Sequence, residues 1–497
     1  MTPQILSVKL SSLIKYNRKK IQMFVLADYP LEFAQFFVSQ LDQALLKIEN
    51  AKPLSNMQKR WLIFCILAIA VSNTICWKAF ERVSLGTYSH AALSYMFRKS
   101  NIGWSYLLQA SIILLLATYG ITCGELALDD SDSQRSKQTS KIYHTHKVFD
   151  KKTGGYFNGQ TIIFLLLITE SISIPVGFCF YKPDPALSAW KKEDQKLKRD
   201  GKSKKDRPKK PERNPDYPTK QQIALNLLET FKKQFPNITI RSILADALYG
   251  TKEFMDKASD LFDGAQVISQ LKKNQNVRVN GKKISLEQYF SSLAEETVEV
   301  TIRGGKKIRV QMKHKRLYVD AHQKKRLIVA LKYDGQKEYR YLVATDLSWL
   351  ARTVVNAFSH RWLVEVFIQD WKVYEGWENM AKQPGKEGSE NTLILSLLLD
   401  HALLLHPLQQ VRIKNKLPAY TVGSLLERIK VDCFFHFMQI FLTSPNPQEM
   451  FDLLVQNKDR IVALACSTKH MSGQRFSKLG PSPFLKYYYQ HVEPDEV

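Results

Sequence analysis

The sequence predicts a mixed α/β protein with helical regions at both ends. Three features of the 497-residue chain predict it. Apolar residues spaced by three or four mark amphipathic helix near the N-terminus. Strand-length apolar runs alternate with helical segments between 125 and 271. Period-two alternation then fills 298–343 before helix returns. The length suggests about three domains at roughly 100–200 residues each. A composition of 44% hydrophobic and 24% charged residues is that of a globular protein and excludes wholesale disorder.

Taken in order, residues 1–120 read as helix. Leu31, Ala34, Phe37, Val38, Leu41 and Leu45 share one face, and the charged break Met57–Arg60 precedes the apolar run from Trp61. Asn73–Val83, a turn at Leu85-Gly86-Thr87 and Tyr88–Phe97 have the form of a helix-turn-helix, which would set Arg98 and Lys99 near phosphates. The same pattern also describes ordinary helix packing, and spacing leaves both readings open. Glu125–Asp130 is then a short strand ending in acids. Tyr156–Ile168 and Ile172–Tyr181 are two more, joined by Thr169-Glu170-Ser171, with Pro175 marking an edge or a bulge. Three sequential strands on short turns form an antiparallel meander.

Lys191–Arg213 holds 12 Lys/Arg against 5 Asp/Glu and hardly an apolar side chain. The surrounding 189–218 is expected to be a solvated, disordered linker, serving as a solubilising loop or as a strap for phosphates. Thr219 with Gln222 makes a capping-box pattern that opens a helix to Phe235. Strand Thr239–Ala245 ends at Asp246, and helix Thr251–Phe262 and strand Ala265–Leu271 follow. Val298, Val300 and Ile302, and then Ile308, Val310 and Met312, alternate about a hairpin turn at Gly304-Gly305; Leu327–Leu331 and Tyr339–Val343 add further strands. One long helix is expected over Leu350–Tyr374. After Pro384-Gly385 the chain reads as helix to about Ala465, with breaks at Pro407 and Ser444–Pro447 and an irregular aromatic, basic tail to Val497.

Lys plus Arg number 72 against 47 Asp plus Glu, a net charge of +25 and a pI near 9.6. Such a surface makes a polyanion the expected large partner, nucleic acid ahead of an anionic membrane. The six cysteines include no C-x-x-C pair, which excludes zinc ribbons and thioredoxin-type motifs and points to a reducing compartment. Met1–Leu26 lacks the pattern of a signal peptide. The longest apolar runs, such as Trp61–Val71 and Leu393–Leu399, fall short of the roughly 18–20 residues that cross a bilayer. A cytoplasmic protein without a membrane partner is the expectation.

Three carboxylates stand out by position: Asp129 and Asp246 at strand ends, and Glu365 inside the late helix. On one long helix Phe358, Arg361, Glu365 and Lys372 would lie along one stripe, beside an apolar stripe of Val364, Ile368 and Trp371. The helix would rest on a core while presenting one acid and two bases. An exposed Arg361–Glu365 pair has the same spacing and would contribute only about 0.3–0.5 kcal/mol.

These residues resemble the cut-and-paste DDE transposases of bacterial insertion sequences, in the subgroup marked by Tyr-x2-Arg-x3-Glu-x6-Lys. Phe358, Arg361, Glu365 and Lys372 reproduce that spacing, with Phe in place of Tyr. Asp129-Asp130-Ser131 is similar to the family's Asp-x-Ser/Thr context, and Asp246-Ala247-Leu248-Tyr249-Gly250 to its second-acid context. Ser269–Asn274 resembles the basic end of the strand that follows. The resemblance implies an RNase H-like catalytic domain interrupted by a β-rich insertion, with helical N- and C-terminal regions. On that reading 1–120 is a DNA-binding helical region, 121–275 and 350–400 are the two parts of the catalytic domain, 276–349 is the insertion, and 401–497 serves dimerisation.

The resemblance further implies that Asp129, Asp246 and Glu365 hold two Mg2+ or Mn2+ ions. Asp130 is the alternative first acid, because neighbours on a strand face opposite ways. Arg361, Lys372, Lys272 and Lys273 would contact phosphates, and Trp362 would stack on an unpaired base or pack beside Val366. Phe358 lacks the hydroxyl with which the family's Tyr binds a phosphate. The implied partners are double-stranded DNA, as transposon ends and as target, and a second copy of the chain. Thr392–Leu405 and Val422–Ile440 are the candidates for that dimer interface.

Overall fold

The computed structural model describes residues 31–458 apart from 86, 136–140, 152, 302–305, 381–382 and 457. The readings at Met1–Leu26, at Gly86, at the Gly304-Gly305 turn and in the tail therefore lie outside the described residues. Five helices come first: α1 (Glu32–Leu45), α2 (Asn56–Ser72), α3 (Trp77–Val83), α4 (His90–Lys99) and α5 (Trp104–Tyr119). Ser55 and Gln58 close a capping box that starts α2. The indole of Trp61 then gathers Trp77, Phe97 and Trp104, with ring centroids 6.0–6.4 Å away. The α3–α4 pair is thus packed on α2 through its aromatic face, while Arg98 and Lys99 remain exposed at the end of α4.

Four strands follow: β1 (Cys123–Gln134), β2 (His146–Phe149), β3 (Tyr156–Ile168) and β4 (Ser173–Tyr181). β1 is longer than the Glu125–Asp130 run because Ser131 and Ser133 are buried and continue its pairing with β3. One edge of β3 is occupied by β1, the other by β2 over its first residues and by β4 over the rest. The register of β4 shifts at Gly177/Pro175, so the edge proline does sit at a bulge.

The expected disordered linker is in part a helix, α6 (Pro185–Arg199), with Asp184 as its N-cap and Pro185 in its first turn. A proline there forfeits no hydrogen bond, and the Asp184 carboxylate accepts from Ala186 N at 2.8 Å and Leu187 N at 3.3 Å. Charge density correctly marks the segment as solvated, but capping and the helix propensity of Lys, Gln and Leu decide its backbone.

The capping box at Thr219 and Gln222 opens α7 (Lys220–Gln234). Next come β5 (Thr239–Ala245), α8 (Lys252–Leu261), β6 (Gln266–Leu271), β7 (Asn276–Val279), β8 (Lys282–Ser285) and a short α9 (Leu286–Ser291). The strands β9 (Glu296–Thr301), β10 (Lys307–Val319), β11 (Lys324–Tyr333) and β12 (Arg340–Ala344) follow. β5 lies parallel to β1 and β6 parallel to β5. β12 pairs antiparallel with β6, and β11 and β10 continue from it. The β-rich stretch therefore extends the first sheet, and a single 12-stranded sheet runs β2-β3-β1-β5-β6-β12-β11-β10-β7-β8 with β4 and β9 alongside.

The long helix expected at 350–374 is two helices, α10 (Ala351–Ser359) and α11 (Trp362–Tyr374). Between them His360 N bonds to Ala357 O and Arg361 N to Phe358 O, the tighter i→i−3 pattern that ends an α-helical ladder. Four helices complete the described chain: α12 (Gly385–Leu404), α13 (Pro407–Lys414), α14 (Val422–Leu442) and α15 (Pro447–Gln456). No single helix among the described residues is long and apolar enough to cross a membrane; three bent pairs of helices reach that length and composition only jointly.

Strand alternation divides the core. Ala127, Phe164, Leu244 and Ile268 face Val354, Val364, Phe367 and Trp371 of α10 and α11. Leu126, Leu128, Ile163, Leu165, Ile243 and Ala245 face the other layer, with α7, α8 and the N-terminal helices. Helix α12 is buried along most of its length. Its His401 is wholly buried, with Nδ1 2.7 Å from Ser111 Oγ and Nε2 3.1 Å from Pro175 O, so α5, α12 and β4 meet on one imidazole. Burial lowers that ring's pKa to about 4, which keeps it neutral. The Thr392–Leu405 stretch expected at a dimer interface is thus occupied by the protein's own core.

At the end of α11, Glu375 and Asp400 of α12 form a buried carboxyl pair. Burial raises both, Asp400 to about 7 and Glu375 well above its ordinary range with help from the Asp400 charge. Acids with raised folded-state pKa values bind protons more tightly folded than unfolded. Their penalty is absent at about pH 4 and grows as pH rises through the folded values, by at most about 1.4 kcal/mol per pH unit for each such group. The Asp400→Asn variant should therefore have a higher Tm than the parent at alkaline pH and a nearly equal one at about pH 4. Thermal melts across that range check it, and a parent whose stability rises with pH in this window would contradict it.

Candidate active site

Register brings two of the acids together. Leu128 pairs with Ala245 across the parallel β1–β5 ladder, so Asp129 and Asp246 are the next positions along it. Asp246 stands just past the end of β5, whereas Asp129 lies inside β1, which continues to Gln134 and so is not the strand end that its sequence suggests. Asp129 continues the face of Ala127, the face that packs against α11, whereas Asp130 continues that of Leu126 and Leu128. The two adjacent acids accordingly find different partners. Asp130 Oδ2 meets Lys220 Nζ at 2.6 Å on α7. Asp129 Oδ2 accepts from Arg361 Nη1 at 2.7 Å.

The same guanidinium joins the third acid: Arg361 Nη2 donates to Glu365 Oε1 at 2.5 Å. One planar cation therefore bridges two carboxylates that are far apart in sequence. Burial pushes the Asp129 carboxyl up to about 6 against the pull of Arg361, and the charges of Asp130 and Asp246 raise it further. Burial likewise raises Asp246, opposed by the Leu248 N–H, which donates to its Oδ1 at 2.8 Å. Asp246 caps the turn Ala247–Tyr249. That turn lies flat on β6 because residue 250 is glycine: a Cβ there would stand 2.5 Å from the Gln270 carbonyl oxygen. Tyr249 is fully buried, its pKa raised by burial and by the charges of Asp130, Asp246 and Asp129, and its hydroxyl has no hydrogen-bond partner among the described residues.

β1 holds α11 at both ends, at its junction with α10 and again at and just past its last turn. His360 Nδ1 lies 2.6 Å from Glu125 Oε2, Lys372 Nζ donates to the Asp132 carbonyl at 2.6 Å, and Trp377 Nε1 donates to Ser133 Oγ at 2.8 Å. This explains the helix break: His360 and Arg361 are both drawn to acids on β1. It also corrects the single stripe, since Phe358 belongs to α10 and Arg361 precedes the first turn of α11. The buried face of α11 is Val364, Phe367 and Trp371, with Ile368 only half-buried. Lys372 spends one of its three N–H groups on the main chain of β1. Trp362 is 53% exposed rather than packed in the core. Lys272 is exposed just past the end of β6, and Lys273 is tied to Glu338 at 3.0 Å and Glu287 at 3.3 Å.

Glu125 and Lys220 are site residues that sequence reasoning does not single out, and Tyr249 enters it only within the Asp246–Gly250 context. Glu125 shares the alternation of Ala127 and Asp129, which is a signal in the sequence. Nothing in the sequence pairs Lys220 with Asp130 across 90 positions.

Among the described residues, no three His, Cys, Asp or Glu side chains stand close enough together to hold a metal ion. The donor chemistry nevertheless suits a hard cation. The facing groups are carboxylates, the donors a hard cation prefers, and Arg361 now satisfies two of them, so it would have to swing aside for a metal to bind there.

A mixed sheet with one acid inside β1, where β1 outruns the parallel β5, a second just past the end of β5 and a third on a covering helix is consistent with a DDE nuclease fold. Residues 55–289 match the family of DDE superfamily endonucleases, and residues 213–399 match the transposase DDE domain. The first match contains Asp129 and Asp246, the second Asp246 and Glu365. Together they support a DDE transposase, a nuclease-type enzyme with DNA as its implied partner. No curated protein matches the chain.

Proposed function

We propose that this chain is an insertion-sequence transposase that binds the terminal inverted repeats of its element, cleaves there and joins the freed 3′-OH ends to target DNA. The observation that carries the reading is the shared guanidinium: Arg361 reaches both Asp129 and Glu365, and Asp246 adjoins Asp129 across the β1–β5 register. The strand order β4-β3-β1-β5-β6 supports an RNase H-like core. Asp129, Asp246 and Glu365 are the residues that would hold Mg2+ or Mn2+. A pair of such ions, when bound, activates the attacking oxygen and stabilises the leaving one.

The protein's own residues have separate tasks. Asp129 is kept on the α11 side by strand alternation, and Asp130 is kept away from it by Lys220. Arg361 neutralises the acids in the resting protein and turns to a backbone phosphate when DNA arrives. Trp362, exposed beside it, offers a ring to an unpaired base. Lys372 and Lys272 add positive charge along the strand. Homodimerisation falls to α14, which leaves Val431, Phe434, Phe435 and Leu442 exposed.

The test is direct. The purified chain is incubated with duplex DNA carrying the inverted repeats that flank its reading frame, with Mg2+ or Mn2+. Cleavage at the repeat ends and products joined to a second duplex are expected. Binding without any nick would favour a silent DNA-binding descendant, and nicks never followed by joining would favour another nuclease on the same fold.

A further inference from the structure

Between β4 and α7 the chain makes an excursion that buries almost nothing. Leu187 is the single buried side chain of α6, and the return from 200 to 216 contributes none. A segment without a core recovers little of the entropy lost on ordering. This one is nevertheless pinned. Asp184 caps α6 with Oδ1 and accepts from Asn214 N with Oδ2 at 3.2 Å, closing the base of the excursion. Trp190 Nε1 donates to Pro208 O at 2.8 Å, and Arg207 Nη1 meets Asp194 Oδ1 at 2.9 Å, joining its two arms. Asp194 is thus spent on internal structure, and Asp206 accepts from Ser203 Oγ at 2.7 Å. The cations face solvent instead. Of the 12 Lys/Arg in 191–213, all but Arg207 are exposed.

The excursion also begins and ends close to the candidate active site. It leaves after Tyr181, the last residue of β4, and returns at Lys220, whose ammonium lies 5.3 Å from the Tyr181 ring and 2.6 Å from the carboxylate of Asp130, the chain neighbour of Asp129. We propose that residues 185–213 are a folded clasp for the sugar–phosphate backbone of duplex DNA, gripping it next to the three acids. The proposal rests on reading the chain as an enzyme that acts on DNA, and it deepens that reading by naming the element that holds the substrate. A loop kept only for solubility needs no closed base and no cross-brace. A surface that must present its charges at a fixed distance from a cleavage site needs both.

The test combines Lys196→Gln, Lys198→Gln, Lys202→Gln, Lys204→Gln and Lys205→Gln, leaving Asp184, Trp190, Asp194 and Arg207 untouched. Binding of a fluorescent duplex is measured in EDTA over a range of salt, with Tm as the check on folding. The expected result is an unchanged Tm, at least about a tenfold weaker Kd at physiological salt, and a log Kd–log salt slope reduced by about 0.9 for each phosphate no longer neutralised. Lys→Arg at the same five positions should retain parental affinity. Equal affinity and slope in the Gln variant would overturn the proposal, and so would an equal loss in the Arg variant. Unchanged DNA binding with weakened binding to phosphatidylserine vesicles would overturn it in favour of a membrane surface. Because EDTA keeps metal out of the assay, the result stands apart from catalysis: a parent chain that never nicks the repeats with metal would remove the enzymatic reading and leave the clasp measurement intact.

Discussion

Glu365→Gln is expected to reduce metal-dependent cleavage by at least about a thousandfold while leaving Tm and DNA affinity near parental values. The magnitude follows from the task assigned to the carboxylate. A cation that stabilises transition-state charge contributes several kcal/mol, and each 1.36 kcal/mol is tenfold in rate. The amide keeps the size of the carboxylate and can still meet Arg361 through its oxygen, so the fold loses little. Glu365 is about a third exposed and its partner is a neighbour four residues away, an arrangement that contributes only about 0.3–0.5 kcal/mol to a helix. Cleavage assays on the element's own repeats, beside thermal melts and binding without metal, separate the two effects. Retained cleavage would remove Glu365 from the site, and a collapse of Tm would make its role structural.

The parts of this site that are legible in the sequence are those carried by local pattern. An apolar run that meets an acid announces Asp129 and Asp246, although β1 continues past Asp129 to Gln134, and Thr219 with Gln222 announces the start of α7, because alternation and capping are properties of a few adjacent residues. The split of the long helix at His360 and Arg361 is not legible. It is caused by Glu125 and Asp129, more than 230 positions upstream, and by spacing alone the helix reads as continuous. The continuity of the sheet is hidden for the same reason. β12 has the alternation of any strand, and only its pairing with β6 shows that it extends the first sheet instead of starting another. The basic segment misleads in the opposite direction. Its composition reads as disorder, while a single capping aspartate and a tryptophan hydrogen bond give it a shape. Long-range pairing and isolated pins are what a one-dimensional pattern does not encode.

The largest stability effect is expected at Trp371, and it bears on the same helix. Its ring is fully buried, stacked 4.7 Å from Trp377 and edge-on to Phe164 at 4.9 Å. The Phe164 contact seats α11 on β3, and Phe367, one turn earlier, stacks on the same indole at 6.2 Å. Trp371→Ala should cost about 3–5 kcal/mol, the usual range for deleting a buried aromatic side chain. Its indole N–H has no hydrogen-bond partner among the described residues, so Trp371→Phe sacrifices volume without sacrificing a bond and should cost clearly less. Arg361 and Glu365 sit at the other end of α11, and the helix ties them rigidly to this anchor. The Ala variant should therefore lose cleavage together with stability, whereas Glu365→Gln loses cleavage alone. Chemical denaturation and the cleavage assay, run on both variants, distinguish a helix that has lost its seat from a carboxylate that has lost its charge. A Trp371→Ala protein as stable as the parent would mean that α11 is held by its bonds to β1 and not by this aromatic cluster.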